Sequence, residues 1–303
     1  MTHAYASPEY AAALSHWGRP ISVPEWGTSL ILRTAAEGAE DAFGPYPLCV
    51  LGRDSDLVGG LQRLTALGAI AVTLVVDDVH RPEFGRLEDA FDFVRPFKSH
   101  LVRRRDLPFT CSKHHRYEVR RARRRLDLRV FDLAGCLDAW TGLYDALRRR
   151  HSLTGVHDFP RSYFSALAGL QGLVALGAWQ DETLLSAHLW MAHEGHVISH
   201  LAATSPEGYR QGAAYAVHDA AIEHFRDADV INFGGSAGHP SDESDGLWRF
   251  KRGFANDTAP AFLCGKVLDP RRYTELCKRV GAASGTDYFP AYRQQGATNA
   301  SRG

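Results

Sequence analysis

The sequence predicts an α/β protein of two lobes, and three observations carry that expectation. Its 303 residues exceed the roughly 100–200 typical of one domain, favouring two domains or one large composite. An apolar content of 45 %, a charged content of 23 % and a mean hydropathy of −0.26 match ordinary globular averages, so the chain can bury a sizeable core and is neither disordered nor fibrous. Segments of helical and strand period alternate along its length.

Taken in order, Ser7-Pro8-Glu9 reads as N-cap, N1 and N2 of a helix ending near Trp17, and Ser29 to Thr34 reads as a strand. After the loop Phe43-Gly44-Pro45-Tyr46-Pro47 come a helix from Asp54 to Leu67 and the apolar strand Ala69 to Val76. Phe91 to Arg104 is extended and leads into a basic segment. From Asp127 the pattern sharpens. Leu128 to Phe131 alternates as a strand, and Ala134 to His151 repeats Leu137, Trp140, Tyr144 and Leu147 at helical spacing. Pro160 starts a helix to about Leu170. Three strands follow, Leu173 to Gln180, Thr183 to Ala192 and His196 to Thr204, joined by short polar turns as an antiparallel meander. Gly212 opens a helix, Asp229 to Phe233 is a short buried strand, Asp245 to Phe254 is helical, and Ala261 to Leu268 is a strand. The second half thus runs β-α-α-β-β-β-α-β-α-β.

Charge is balanced overall, with 35 basic and 35 acidic residues, but not locally. Residues 101–129 hold ten Arg and one Lys against Asp106, Glu118 and Asp127, a local +8 that leaves −8 on the rest. A basic block on an otherwise acidic chain points to a polyanionic partner. Five widely spaced cysteines without a Cys-x-x-Cys pair argue against a disulfide framework or zinc cluster. With no apolar run near the ~20 residues of a membrane span and no leader-like start, a cytoplasmic protein without membrane insertion is expected.

The strand and helix order is similar to that of the Gcn5-related N-acyltransferase superfold. Phe233-Gly234-Gly235, followed by Gly246-Leu247-Trp248-Arg249-Phe250-Lys251-Arg252-Gly253-Phe254, resembles the C-terminal signature of the Fem family. Members of that family attach amino acids from aminoacyl-tRNA to amines on peptidoglycan precursors. His115-Arg116-Tyr117-Glu118-Val119-Arg120-Arg121-Ala122-Arg123-Arg124 is similar to the segment joining the two lobes of such proteins. The resemblance covers residues 110–268 well and 40–105 weakly, and related transferases of antibiotic pathways share the signature. It implies two tandem acyltransferase-like lobes, each a mixed sheet flanked by helices: an acceptor-side lobe over 1–105, a basic inter-lobe helix over 106–126, a donor-side lobe over 127–282 and a flexible tail over 283–303. The long coiled-coil arm of the peptidoglycan enzymes is missing, which weakens any claim on lipid-linked acceptors.

Lys251 is the first candidate for chemistry. Acyl transfer from an ester passes through a tetrahedral oxyanion, and an ammonium aimed at that charge or at a leaving nucleotide's phosphate lowers the barrier. The resemblance puts Arg249, Phe250 and Lys251 at the donor end of the cleft; the bland alternative is that Phe250 and Trp248 pack the core and Lys251 is a surface residue. Tyr209-Arg210-Gln211-Gly212-Ala213-Ala214 sits where the superfold has its pyrophosphate loop, and backbone N–H groups at a helix start make an anion site. Tyr209 stands where Gln or Arg is usual, which argues against coenzyme A; the loop, with Gln211 and Gly212, holds a tRNA terminal phosphate or only caps the helix.

Arg116, Arg120, Arg123 and Arg124 share one helical face opposite Val119, Ala122 and Leu126, either as a row of guanidiniums for phosphates or as solvated surface. In the first lobe, where the resemblance puts the acceptor, Tyr46 and Lys98 are candidates. His188 and His200 alternate onto single faces of adjacent strands, so one of them could take the amine's proton or simply form a cleft wall. His193-Glu194-Gly195-His196 is one residue short of a zinc motif and falls on a hairpin, and Phe233 to Gly238 lacks the acidic partner of a dinucleotide fingerprint, so neither metal nor NAD is expected.

The reading is an aminoacyltransferase. It moves an amino acid from aminoacyl-tRNA, as co-substrate and without a cofactor, to the amine of a free or carrier-bound peptide, peptidoglycan precursor or antibiotic intermediate. Two alternatives stay open: an N-acyltransferase using acetyl-CoA or another acyl-CoA, and a non-catalytic tRNA-binding protein.

Overall fold

The computed structural model describes residues 2–36, 38–153, 155–235, 246–282 and 288–294. The chain forms two compact units, Met1–Phe97 with Pro260–Gly303, and Lys98–Ala259. Each is a mixed sheet flanked by helices.

The first unit begins with α1 (Pro8–Ala13), capped by Ser7 Oγ on the Tyr10 N–H, then β1 (Arg19–Val23), β2 (Thr28–Ala36), β3 (Ala39–Phe43), α2 (Leu57–Ala66), β4 (Ala69–Asp77) and α3 (Phe84–Ala90). Strand β4 is buried along almost its whole length, as its unbroken Ala69–Val76 apolar run requires. It pairs in parallel with β3, and β3 pairs antiparallel with β2. Trp26 fills the core against Gly60, where a Cβ would fall 2.0 Å from the indole nitrogen; only glycine lets α2 lie that close.

The second unit takes over within β5 (Phe93–Arg104) and continues through α4 (Lys113–Arg123), β6 (Asp127–Phe131), α5 (Leu137–His151), α6 (Arg161–Ala168), β7 (Leu173–Gln180), β8 (Thr183–His193) and β9 (His196–Thr204). Then come α7 (Pro206–Gln211), α8 (Ala213–His224), β10 (Val230–Asn232), α9 (Gly246–Arg252) and the start of β11 (Asp257–Val267). Strands β6, β7, β8 and β9 form an antiparallel run, as expected. Strand β10 joins β9 in parallel over three residues, Val230 to Asn232 against His196 to Ile198, and joins β5 antiparallel on its other side. Helix α4 lays Val119 and Ala122 into the core that α8 covers with Ala213, Ala216, Val217 and Ala221. Among the described residues no helix is long and apolar enough to cross a membrane.

Three expectations shift. The second unit starts at Lys98, inside β5, because Val102 to Arg104 pair with β10. The basic helix α4 belongs wholly to that unit rather than forming a connector. Residues from Pro260 return to the first unit, because Ala261 to Val267 pair antiparallel with β4 and α10 (Pro270–Arg279) packs Leu276 beside Ile70. Part of the supposed tail is likewise anchored: fully buried Asp41 accepts from Tyr292 Oη at 2.7 Å and from Arg293 Nε and Nη2 at 2.7 and 2.6 Å. Residues 283–287 and 295–303 lie outside the described residues.

Candidate active site

The Gly234–Gly235 turn after β10 is the structural centre of the second unit's candidate site. Gly234 has φ +76°, a left-handed conformation that favours glycine, and its N–H donates to Asn232 Oδ1 at 2.8 Å. Buried Asn232 in turn donates through Nδ2 to His100 Nδ1 at 3.0 Å, which fixes both side chains. Two lysines meet this turn. Lys251 Nζ donates to the Gly235 carbonyl at 2.8 Å and sits 3.5 Å from where a Cβ on Gly234 would be, while the Lys98 stem lies 3.5 Å from the equivalent point on Gly235. Burial lowers the Lys98 pKa from its ordinary value. A fixed turn held against the Lys251 ammonium, with the Lys98 stem alongside, is a locus where developing negative charge is stabilised.

Helix α9 is held in place by the basic segment, so the two motifs singled out in the sequence meet. His115 Nε2 donates to the Phe250 carbonyl at 2.9 Å, and its Nδ1 is bonded by Ser112 Oγ at 2.9 Å. Gly253 is the residue that permits this, since a Cβ there would fall 2.0 Å from His115 Nε2. Phe250 packs its ring against His218 at 4.7 Å and Tyr215 at 4.8 Å, so it orients Lys251 from within an aromatic cluster. Arg249 is exposed.

The histidines separate. His188 on β8 faces α8, bonding Ser199 Oγ at 2.7 Å and meeting the His218 ring at a tilt with ring centroids 4.7 Å apart. His200 points towards α6 instead, where its Nε2 meets Tyr163 Oη at 2.7 Å. Each was expected to alternate onto a single face of its strand, one of them lining the cleft, but the β8–β9 register shifts between Leu189 and Trp190, so Leu189 pairs with Leu201 and Trp190 with Ser199; His200 is the extra residue of a bulge. Burial pushes His200 down to about 3; burial, then the Lys251 charge, does the same to His218, and burial holds His188 well below its usual value. All three are neutral imidazoles at neutral pH. His218 escaped the sequence reading; its one signal was its place beside Val217 on the inward stripe of α8.

The expected anion loop is partly filled by the protein's own carboxylate. Gly212 (φ +72°) ends α7 and starts α8, and Glu118 Oε2 lies 3.0 Å from where its Cβ would be, paired with Arg121 Nη2 at 2.9 Å. Gln211 turns inward, donating to Gln180 and Glu207 at 2.7 Å each, which removes it from a donor surface because its amide is committed. Tyr209 is exposed beneath the Arg150 guanidinium at 4.3 Å.

Arg116, Arg120 and Arg124 form an exposed row one helical turn apart on α4, with no ion pair among the described residues. Arg121 and Arg123 of the same helix are by contrast tied to Glu118, Asp219 and Glu223. Tyr117, 61 % exposed, stands within that row. Lys98 was grouped with Tyr46 as a first-lobe candidate, but it belongs to the second unit because β5 carries it to the β10 side. Tyr46 lies in the first unit. Its carbonyl accepts from Tyr10 Oη, its ring meets Trp17 edge-on at 6.3 Å, and burial pushes its phenol up to about 12.

Residues 113–252, the stretch that carries α4, the Gly234–Gly235 turn and Lys251, match the family described as an acetyltransferase (GNAT) domain. A comparison with curated protein sequences gave no significant match. Among solved structures the chain is similar to FemX, with a TM-score of 0.62 and 14 % identity over 89 % of this chain and 93 % of that one. It is also similar to the C-terminal domain of a putative lysylphosphatidylglycerol synthetase from Agrobacterium fabrum (TM-score 0.60, 15 % identity, 93 % and 94 % covered). L-PGS from Bacillus licheniformis gives a TM-score of 0.58 at 13 % identity, with 86 % and 92 % covered. At these identities the likeness is one of fold.

Proposed function

We propose that the protein is an aminoacyltransferase that forms an amide between an amino acid carried by aminoacyl-tRNA and the amine of a peptide, peptidoglycan precursor or antibiotic intermediate. The observation that carries this reading is the Lys251 ammonium at the Gly234–Gly235 turn, with Lys98 beside it. In the reaction the amine nitrogen attacks the ester carbonyl, the C–N bond forms as the C–O bond to ribose breaks, and the amine's proton ends on the leaving hydroxyl. The ester is already activated. The protein therefore has to align the partners and stabilise the oxyanion, and Lys251 suits the second task.

Two features favour RNA as the carrier of the acyl group. Arg116, Arg120 and Arg124 are exposed without counter-ions among the described residues, and Glu118 lies where a coenzyme A pyrophosphate would be cradled in the superfold. The match to an acetyltransferase (GNAT) domain favours acyl-CoA as the second reading. Single-turnover assays with charged tRNA and with acyl-CoA, each tested for amide product, separate them. Product from charged tRNA alone supports the proposal; product from acyl-CoA alone replaces it. Binding of tRNA irrespective of charging, with no product from either donor, would mean a non-catalytic RNA-binding protein.

A further inference from the structure

Two buried imidazoles beside Lys251 are incompletely bonded. His188 Nε2 is engaged by Ser199 Oγ, and His218 Nδ1 by the Ala214 carbonyl at 3.1 Å. The other ring nitrogens, His188 Nδ1 and His218 Nε2, are buried and have no hydrogen-bond partner among the described residues. A buried polar atom left unpaired is destabilising, because it loses its water partner without gaining another. Two of them on rings in mutual contact point to a partner that the folded chain does not supply itself.

The chemistry of that partner follows from the groups around it. A carbonyl can only accept, so His218 Nδ1 carries the proton and Nε2 is a bare lone pair that needs a donor. The charged and titratable groups acting on the two rings, besides each other, are Lys251 from α9, His200 from β9 and His115 from α4; no carboxylate is among them. A cation would meet the Lys251 ammonium with no counter-ion, and an anion would meet the His218 lone pair. What fits is an uncharged N–H or O–H donor. Between these, water and a primary amine each offer two donors and a lone pair and so suit either tautomer of His188, and the amide-forming reading selects the amine. A hydroxyl suits only the tautomer in which His188 Nδ1 donates. Phe233, Phe254 and Trp190 pack around His218, while Ser199, Gly234, Phe250 and Lys251 are partly exposed.

We propose that His188 and His218 together bind the uncharged amino group of the substrate and hold it as the free base next to Lys251. This rests on the amide-forming reading, in which the attacking nitrogen must keep its lone pair. A site lined by neutral imidazoles and one ammonium, without a carboxylate, favours the unprotonated amine without either ring having to take up a proton.

The test uses the whole protein with nitrogen-15 in its histidine rings and three small probes of like shape: glycinamide (amine), glycolamide (hydroxyl) and trimethylglycinamide (fixed cation). Glycinamide is expected to shift the ring nitrogens of both His188 and His218, with apparent affinity rising about tenfold or more between about pH 6 and pH 9 as its amine loses a proton. His218→Asn keeps a side-chain N–H towards Ala214 and lacks Nε2. With an unchanged melting profile it should abolish the glycinamide response at His188. An absent glycinamide response, an equal response to glycolamide or trimethylglycinamide, or a response that survives in folded His218→Asn would overturn the proposal; the three-probe comparison on the wild type decides even if the variant fails to fold. Probe binding in a protein that forms no amide from any donor would sink the aminoacyltransferase reading and leave the amine site standing. Full amide formation without any probe response would do the reverse.

Discussion

The Glu118 carboxylate lies 3.0 Å from the point where a side chain on Gly212 would begin, so the turn that opens α8 faces an anion from its own chain. Arg121 Nη2 pairs with that carboxylate at 2.9 Å, so a second anion brought to the turn would have to displace Glu118 from the guanidinium.

Coenzyme A and its thioesters are therefore expected to leave the melting temperature of the wild-type protein unchanged, because a ligand that does not bind the native state cannot shift it. Glu118→Gln removes the charge and is expected to allow a measurable upward shift with coenzyme A. A strong shift in the wild type would show that Glu118 moves aside and would favour acyl-CoA as donor.

The α4 row is expected to behave as a phosphate-binding strip. Replacing both Arg120 and Arg124 by Ala should weaken RNA binding and flatten the log–log salt dependence by about 0.7–0.9 for each phosphate no longer neutralised. Tyr117→Ala should weaken binding to a single-stranded segment by about 1–3 kcal/mol, because a base can no longer stack on the ring, while leaving the salt slope alone. Unchanged affinity and slope in the double variant would mean that this face is merely solvated.

Acid should destabilise the second unit in a predictable window. His200 and His218 have folded pKa values of about 3, below the unfolded value of about 6.5, so the unfolded chain binds protons that the folded one refuses. Their neutrality leaves stability intact above about pH 6.5, and each ring costs up to about 1.4 kcal/mol per pH unit as pH falls towards 3. Thermal melts across that range should fall more gently for His200→Gln than for the wild type. Parallel curves would mean that His200 is already protonated or solvated in the fold.

How much of this was legible in the sequence depended on whether a feature is local. The β7–β8–β9 meander was, because alternation and short polar turns fix it, and so was α8, from its Ala214, Val217, Ala221 stripe. Strands β1 and β3 were not, since Pro20 interrupts one and Glu40-Asp41 makes the other look like a loop; Asp41 is buried only because Tyr292 and Arg293 arrive from the far end of the chain. The bulge at His200 broke the period-two rule that put it on a single regular face of its strand. Lys98 reaches Gly235 only through the pairing of β5 with β10, and no spacing in the sequence encodes that.

The most direct test is the single-turnover rate of amide formation from charged tRNA in Lys251→Ala, with circular dichroism and melting on the same preparation. One pre-aimed cation typically contributes ~3 kcal/mol to such a transition state, so the rate should fall ~100-fold or more with the fold intact. Lys251→Arg should recover only part of it, because a planar fork cannot occupy the point held by an ammonium against the Gly235 carbonyl. A folded Lys251→Ala protein that transfers at the wild-type rate would contradict the account.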